Sequence, residues 1–353
     1  MVDNLIFNST VLVTGGTGSF GNTVVKRLLD QGVSEVRILS RDEAKQDEMR
    51  HRLGDDRARF YIGDVRDYDS VERAMRNVDF AFHAAALKQV PSSEFFPVEA
   101  VKTNVMGTAN VVQASEANSL KTVVVLSTDK AVYPVNAMGQ SKALAEKVAQ
   151  SHGLNNPGAK TTIAITRYGN VLYSRGSVVP LFISQLKANK NLTVTNPKMT
   201  RFLMTLADSV DLVEYAFSNA RQGDLYIRKA VSATIEDLAQ AVINLFEANV
   251  GIDVIGTRHA EKVSEALATR EEMARAVDQG DYFSVVSDKR DLNYNAYFSE
   301  GDPGQVDYVD YDSHTVDRLT VSEVEELLLT VPEVRNELLA AGITTRLANG
   351  DHS

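Results

Sequence analysis

The sequence predicts an α/β fold, a doubly wound parallel sheet with a smaller C-terminal substrate-binding lobe. Three observations predict it. Short β-branched runs alternate with segments whose apolar residues recur every three or four positions. A glycine-rich turn joins the first such run to the first helical one. The alternation then weakens after about residue 170. Strands that alternate with helices build a parallel sheet covered on both faces.

Taken in order, the strand candidates are "VLVT" (11–14), "VRILS" (36–40), "RFYI" (59–62), "DFAFHA" (79–84), "TVVVLS" (122–127) and "TIAIT" (162–166). Between them run the helical segments "GNTVVKRLLDQG", "RDEAKQDEMRHRL", "YDSVERAMRN" and "VEAVKTNVMGTANVVQASEAN". Residues 1–170 are expected to form the nucleotide-binding domain, with later segments returning to it. Residues 171–280 are expected to form the lobe, leaving a cleft over the strand ends where such folds bind ligands. Residues 281–353 are expected to be an arm and helices. The Tyr- and Asp-rich stretch 281–320 has little periodicity and reads as a surface arm clasping a neighbouring subunit. "VSEVEELLLTVPEVRNELLAAG" reads as one or two amphipathic helices.

Composition narrows the chemistry. Among 353 residues, 47 acidic and 37 basic side chains give a formal charge of −10, which disfavours broad contact with nucleic acid or anionic lipid. With no cysteine, disulfides and thiolate chemistry are excluded. The six histidines are scattered, so no metal site is expected. Neither a signal peptide nor an apolar run long enough to span a bilayer is visible, which points to the cytoplasm.

In "VLVTGGTGSFGNTVVKRLL", Gly15, Gly18 and Gly21 lie between a strand and a helix, with Ser19 and Phe20 at the helix start. Such glycines let the backbone approach a pyrophosphate at the positive helix N-terminus, the Rossmann arrangement. At the second strand end, Ser40, Arg41 and Lys45 stand where an acidic residue would favour NAD, so NADP is expected. Asp64 and Val65 follow the third strand and are expected near the adenine. Ala84, Ala85 and Ala86 follow the fourth and let the backbone press on the cofactor. Asn104, on the next helix, is a further candidate contact. His83 reads as a packed core histidine.

With "TGGTGSFG", "SRDEAKQDEM", "GDVRD", "HAAALKQVPSSE", "STDKAVYPVNAMGQSK" and "RYGNV" in that order, the chain resembles the extended short-chain dehydrogenase/reductases. Within them it looks like the inverting UDP-N-acetylglucosamine 4,6-dehydratases of capsule and lipopolysaccharide synthesis, in particular the capsular enzymes with methionine in place of tyrosine. The likeness covers nearly the whole chain. It implies an NADP-dependent lyase and a homo-oligomer, with a hexamer among its forms.

Most of this superfamily pairs a tyrosine and a lysine four residues apart on one helix face. Here Lys142 is present but its partner is Met138, whose thioether carries no transferable proton. Tyr133 is not at the spacing that faces Lys142. The resemblance implies that Lys130 removes the carbon 5 proton and Asp129 protonates the carbon 6 hydroxyl. For the carbon 4 hydroxyl, Asp129, Lys130 or a water held by Thr128 and Lys142 stay open.

The resemblance further implies a nucleotide-diphosphate clamp from Asn170, Arg175, Ser177, Arg201, Arg258 and Glu261, with Lys88 near the sugar. One departure is Ala260, where the pattern has glycine. Two rival readings remain: a UDP-N-acetylhexosamine 4-epimerase, and a non-catalytic NADP-sensing protein.

Overall fold

The computed structural model describes residues 5–174, 176–258, 260–287 and 308–344. Strand β1 (Thr10–Thr14) leads into α1 (Ser19–Asp30), β2 (Glu35–Ser40), α2 (Glu43–Leu53), β3 (Ala58–Ile62), α3 (Tyr68–Met75) and β4 (Phe80–His83). Then come α4 (Val90–Phe95), α5 (Pro97–Ala100), α6 (Gly107–Ala117), β5 (Thr122–Leu126), α7 (Ala137–Asn155) and β6 (Thr162–Arg167). Each of the strands read from sequence is present, to within a residue at either end. The chain continues through β7 (Asn170–Val171), α8 (Val178–Lys187), β8 (Leu192–Val194), β9 (Thr200–Met204), α9 (Leu206–Asn219), β10 (Leu225–Arg228), β11 (Val231–Thr234) and α10 (Ile235–Leu245). It closes with β12 (Ile252–Val254), β13 (Ala266–Ala268), α11 (Arg270–Met273), β14 (Ala276–Asp278), β15 (Tyr282–Val285), β16 (Tyr311–Asp312) and helices Val321–Leu329 and Pro332–Ala340. The last apolar stretch is therefore two helices, broken where Pro332 starts the second.

Among the described residues, a nine-stranded sheet has the order β14-β15-β10-β6-β5-β4-β1-β2-β3. It is parallel from β3 to β10, with β15 and β14 antiparallel at one edge. The order reverses between β1 and β4, whose ends meet at Thr14 and His83. In a doubly wound sheet the crevice for ligands opens at this reversal. β4 and β5 are buried at every residue, as expected for strands covered on both faces.

The helices follow from the same rules. α1 buries Val24, Val25, Leu28 and Leu29 at helical spacing. α2 begins at Asp42, whose side chain accepts the Lys45 N–H, and stops at Gly54 in the left-handed region. The stretch 98–118, which reads as one helix, is interrupted by a π-helical turn over Val101–Met106. Such a turn replaces i→i+4 bonds by i→i+5 bonds over one turn of helix.

Contacts among the described residues divide the chain into two compact units, Met1–Tyr168 with Val210–Lys229 and Ala268–Asp310, and Gly169–Ser209 with Ala230–Leu267 and Tyr311–Ser353. The expected spans 1–170, 171–280 and 281–353 are therefore cut differently. Residues 225–228 and 276–285 add strands to the first unit's sheet, so the expected arm begins as a strand. Its middle, 288–307, lies outside the described residues. The second unit holds the sheet β11-β9-β7 and a core of Phe182, Leu192, Leu238, Val242, Val324, Leu328 and Leu338. No helix among the described residues is long and apolar enough to cross a membrane.

Candidate functional site

The turn after β1 is built to bring backbones together. Gly15 has φ +69°, and a Cβ there would lie 2.8 Å from the Cα and N of Ala85. A Cβ on Gly21 would lie 2.6 Å from the Gly15 carbonyl oxygen. Gly18 is the N-cap of α1 and no side chain caps its first turn, which leaves that helix start to backbone N–H groups next to Ser19 and Phe20. The Phe20 ring stacks on Tyr168, 5.4 Å between centroids. The cradle fits a dinucleotide pyrophosphate.

Around it, Ser40 is buried and its Oγ meets Thr17 Oγ1 at 2.9 Å. Arg41 extends, half exposed, toward Asp64 at 3.4 Å, and Lys45 pairs with Asp42 at 2.6 Å. Asp64 also accepts from the Arg66 guanidinium at 2.6 Å. Val65 is buried against Gly107, and its carbonyl accepts from Asn110 at 2.8 Å, so its side chain is a packing residue. Ala84, Ala85 and Ala86 line the β4 end, with the N–H groups of Ala84 and Ala85 donating to Thr14. Asn104 sits in the π turn. Its Nδ2 donates to the Leu87 carbonyl (3.0 Å) and Ser141 Oγ (2.9 Å), and its Oδ1 accepts the Leu87 N–H (2.8 Å). With both N–H donors used inside the protein, Asn104 braces the Ala84–Gln89 loop against α7.

His83 is buried, as expected. Thr108 Oγ1 donates to the Asn104 carbonyl at 2.6 Å, so it accepts from His83 Nε2 at 3.1 Å. Nδ1 then accepts from Thr14 Oγ1 at 2.7 Å. Burial, helped by the nearby Lys142 charge, pushes the imidazole down to about 3.

The segment after β5 gathers the catalytic candidates. A 3-10 turn over Asp129–Ala131 puts Asp129 inside and Lys130 at the rim, with side-chain exposures of 1% and 30%. Asp129 Oδ1 accepts from Thr128 Oγ1 at 2.8 Å and from Lys130 Nζ at 3.0 Å. Its Oδ2 is buried and has no hydrogen-bond partner. An unsatisfied buried carboxylate oxygen costs on the order of 1–3 kcal/mol, which a ligand hydroxyl would recover. The Tyr168 carbonyl fixes the Asp129 N–H at 3.0 Å.

α7 starts at Asn136, whose side chain accepts the Gly139 N–H at 2.9 Å. Its buried face runs through Met138, Ser141, Lys142, Ala145, Glu146, Ala149 and His152. Met138 and Lys142 therefore share a face, and Met138 is 3% exposed. Lys142 Nζ donates to the Leu126 carbonyl; burial brings its ammonium down to about 8, against the opposing pull of Glu146. The Tyr133 hydroxyl donates to Asp310 at 3.0 Å. No hydroxyl thus stands in the Met138 position.

The nucleotide-clamp candidates belong to the second unit, apart from Lys88, which is exposed on the loop after β4. Asn170 Oδ1 and Ser177 Oγ are both buried without hydrogen-bond partners, and Ser177 is the N-cap of α8 without capping it. Arg175 lies outside the described residues. Arg201 is buried and donates to the carbonyls of Thr200 (2.8 Å), Lys262 (2.9 Å) and Val263 (3.3 Å). It holds the loop bearing Arg258 and Glu261. Arg258 is exposed and its N–H donates to Glu261 Oε2 at 3.2 Å. Ala260 has φ +57°, the left-handed region that favours the glycine the sequence lacks. Among the described residues no cluster suits a metal ion.

Sequence reasoning missed a buried ion network behind Lys142. Glu146 pairs with Arg167 at 2.6 Å, and Arg167 pairs with Glu272 at 2.8 Å. The visible signal was a glutamate four residues beyond Lys142 on an apolar face.

The fold and the glycine cradle define a class, the doubly wound α/β proteins of Rossmann type. The family described as polysaccharide biosynthesis protein matches residues 11–287, and its C-terminal companion matches 288–335. The chain belongs to the polysaccharide biosynthesis protein family. Proteins named UDP-glucose 4-epimerase are 53% identical in Rickettsia bellii and 52% in Rickettsia typhi, each over 338 residues, 95% of this chain and 99% of theirs. The X-ray structure of Pen from Bacillus thuringiensis is similar with a TM-score of 0.83 at 34% identity, covering 92% of this chain and 99% of that one. DesIV, a dTDP-glucose 4,6-dehydratase from Streptomyces venezuelae solved with NAD and TYD, shares the fold at 24% identity and a TM-score of 0.65, covering 72% and 86%.

Proposed function

We propose that this chain is a nucleotide-sugar enzyme, an NADP-dependent UDP-N-acetylglucosamine 4,6-dehydratase that inverts carbon 5 and serves surface-polysaccharide synthesis. The observation that carries the reading is the Asp129–Lys130 pair beneath a helix face where methionine replaces the phenol. Bound NADP would take a hydride from carbon 4 and return it at carbon 6, while the carbon 4 hydroxyl gives its proton to Asp129, Lys130 or a water held by Thr128 and Lys142. The glycine cradle would hold its pyrophosphate, and Ser40, Arg41 and Lys45 its 2′-phosphate. Once carbon 4 is a ketone, the carbon 5 proton is acidified. Lys130 as a neutral amine removes that proton, and Asp129 gives a proton to the departing carbon 6 hydroxyl, which leaves as water. Nζ and Oδ1 lie 3.0 Å apart, so the pair can pass a proton between its members. Return of a proton to carbon 5 from the opposite face gives the L-arabino product. Asn170, Ser177, Arg258 and Glu261 are proposed ligands of the uridine diphosphate, with Arg201 positioning their loop and Lys88 near the sugar. Self-association, with a hexamer as one form, belongs to this reading and is measured by light scattering.

The names of the Rickettsia relatives favour a second reading, a UDP-sugar 4-epimerase. Epimerisation needs proton exchange at the carbon 4 hydroxyl and none at carbon 5, so it gives no role to a second acid–base pair. Incubation with UDP-N-acetylglucosamine in deuterated water, followed by proton NMR, separates the readings. A 6-deoxy methyl signal supports the dehydratase, the galacto isomer supports the epimerase, and an unchanged sugar would point to a protein that only binds.

A further inference from the structure

We infer that Glu146 is a positioning residue for this chemistry, its buried carboxylate lying one turn from Lys142 and tying together Ser127 and Arg167 at the strand ends beside Asp129. The inference rests on the proposed reaction and extends it. Glu146 lies one turn beyond Lys142 on α7, and the two residues are 4% and 7% exposed. Its Oε1 accepts from Ser127 Oγ and from Arg167 Nε at 3.0 Å, and its Oε2 from Arg167 Nη2 at 2.6 Å. Ser127 immediately precedes Thr128 and Asp129 at the end of β5. Arg167 immediately precedes Tyr168, whose carbonyl holds the Asp129 N–H. One carboxylate therefore joins α7, β5 and β6 directly beneath the catalytic turn.

The charges around Lys142 come from each neighbouring element. Glu146 is on its own helix and Arg167 on β6, with Glu272 of α11 behind it at 2.8 Å. Neutral His83 is on β4, and Asp129 with Lys130 is on the turn after β5. A buried ion pair that only holds the fold would be the plainer reading. It differs in one respect: loss of Glu146 would then lower stability but leave the pH profile of turnover where it is. Here Glu146 opposes the burial that lowers Lys142, so its loss must lower Lys142 further. Burial brings Lys142 down to about 8, and without the opposing Glu146 carboxylate that fall is greater.

The test uses full-length protein carrying lysine labelled with carbon-13 at Cε. The Lys142 resonance is the one missing from Lys142→Arg, and it is followed through a pH titration. Glu146→Gln is expected to lower its midpoint by about one unit or more. Ser127→Ala, which keeps the carboxylate, is expected to leave it in place. Glu146→Asp retains a displaced charge and is expected to give a smaller fall, which serves if the Gln variant does not fold. A wild-type midpoint in the folded Gln variant overturns the inference, as does a wild-type midpoint in Glu146→Asp where only that variant folds. Turnover of UDP-N-acetylglucosamine is read in parallel across the same pH range. An inactive wild type with a shifted Lys142 midpoint defeats the proposed reaction alone, and an active wild type with an unshifted one defeats only the role of Glu146.

Discussion

Gly139→Ala should slow catalysis without unfolding the protein. Gly139 is the third residue of α7, and a Cβ there would lie 2.3 Å from the Lys130 carbonyl oxygen and 3.1 Å from Pro134 Cβ. Comfortable carbon–oxygen contacts fall near ~3.3 Å, so helix and turn must separate by about 1 Å. Overpacking of this kind costs roughly 1–3 kcal/mol. Alanine recovers ~1 kcal/mol of that through its helix propensity. The net loss is well inside the ~5–15 kcal/mol that holds a folded domain. A shift of ~1 Å at the backbone of Lys130 displaces the proposed base from carbon 5, and such misplacement lowers turnover by about 100-fold. The assay is the rate of 6-deoxy methyl formation by NMR, with thermal denaturation and NADP titration on the same preparation. A folded Gly139→Ala protein that turns over at the wild-type rate refutes the idea that α7 sets the position of Lys130.

Other substitutions test separate parts of the account. Tyr133→Phe should keep turnover within a few-fold and leave the pH profile unchanged, since its hydroxyl is spent on Asp310; a loss of several hundredfold would make Tyr133 the missing phenol. Arg41→Ala should weaken NADP by about 10-fold, worth about 1.4 kcal/mol, and leave NAD almost untouched in a fluorescence titration. Equal weakening of both cofactors would remove the 2′-phosphate contact from the account. Ala260→Gly should relieve a left-handed alanine that costs ~1–2 kcal/mol. Glycine returns ~0.4–1 kcal/mol of that through the unfolded chain, so a small rise in denaturation midpoint is expected and a clear fall would contradict it.

The first unit was legible because its signals are local. Each strand from β1 to β6 is a short run rich in β-branched or aromatic residues, and the Gly15–Gly21 turn sits where the strand order reverses. Asp129 and Lys130 could be placed because they follow β5 directly. The π turn at Val101–Met106 was not read from the sequence, and the bracing role of Asn104 went with it. The carbonyl partners that make Arg201 a loop brace lie up to 62 positions away, so its sequence neighbours do not show that role. The Glu146–Arg167–Glu272 network joins residues up to 126 positions apart (146 to 272), which no spacing rule connects. Later segments were expected to return to this domain, but 225–228 and 276–285 could not be singled out, since strand partners distant in sequence leave no periodic mark.

The sharpest trial is deuterium entry at carbon 5 of UDP-N-acetylglucosamine, comparing wild type with Lys130→Ala in deuterated water at matched NADP occupancy. The account predicts label and a methyl group with the wild type, and neither with a variant whose NADP affinity stays within a few-fold. Label entering at the same rate without Lys130 would contradict it.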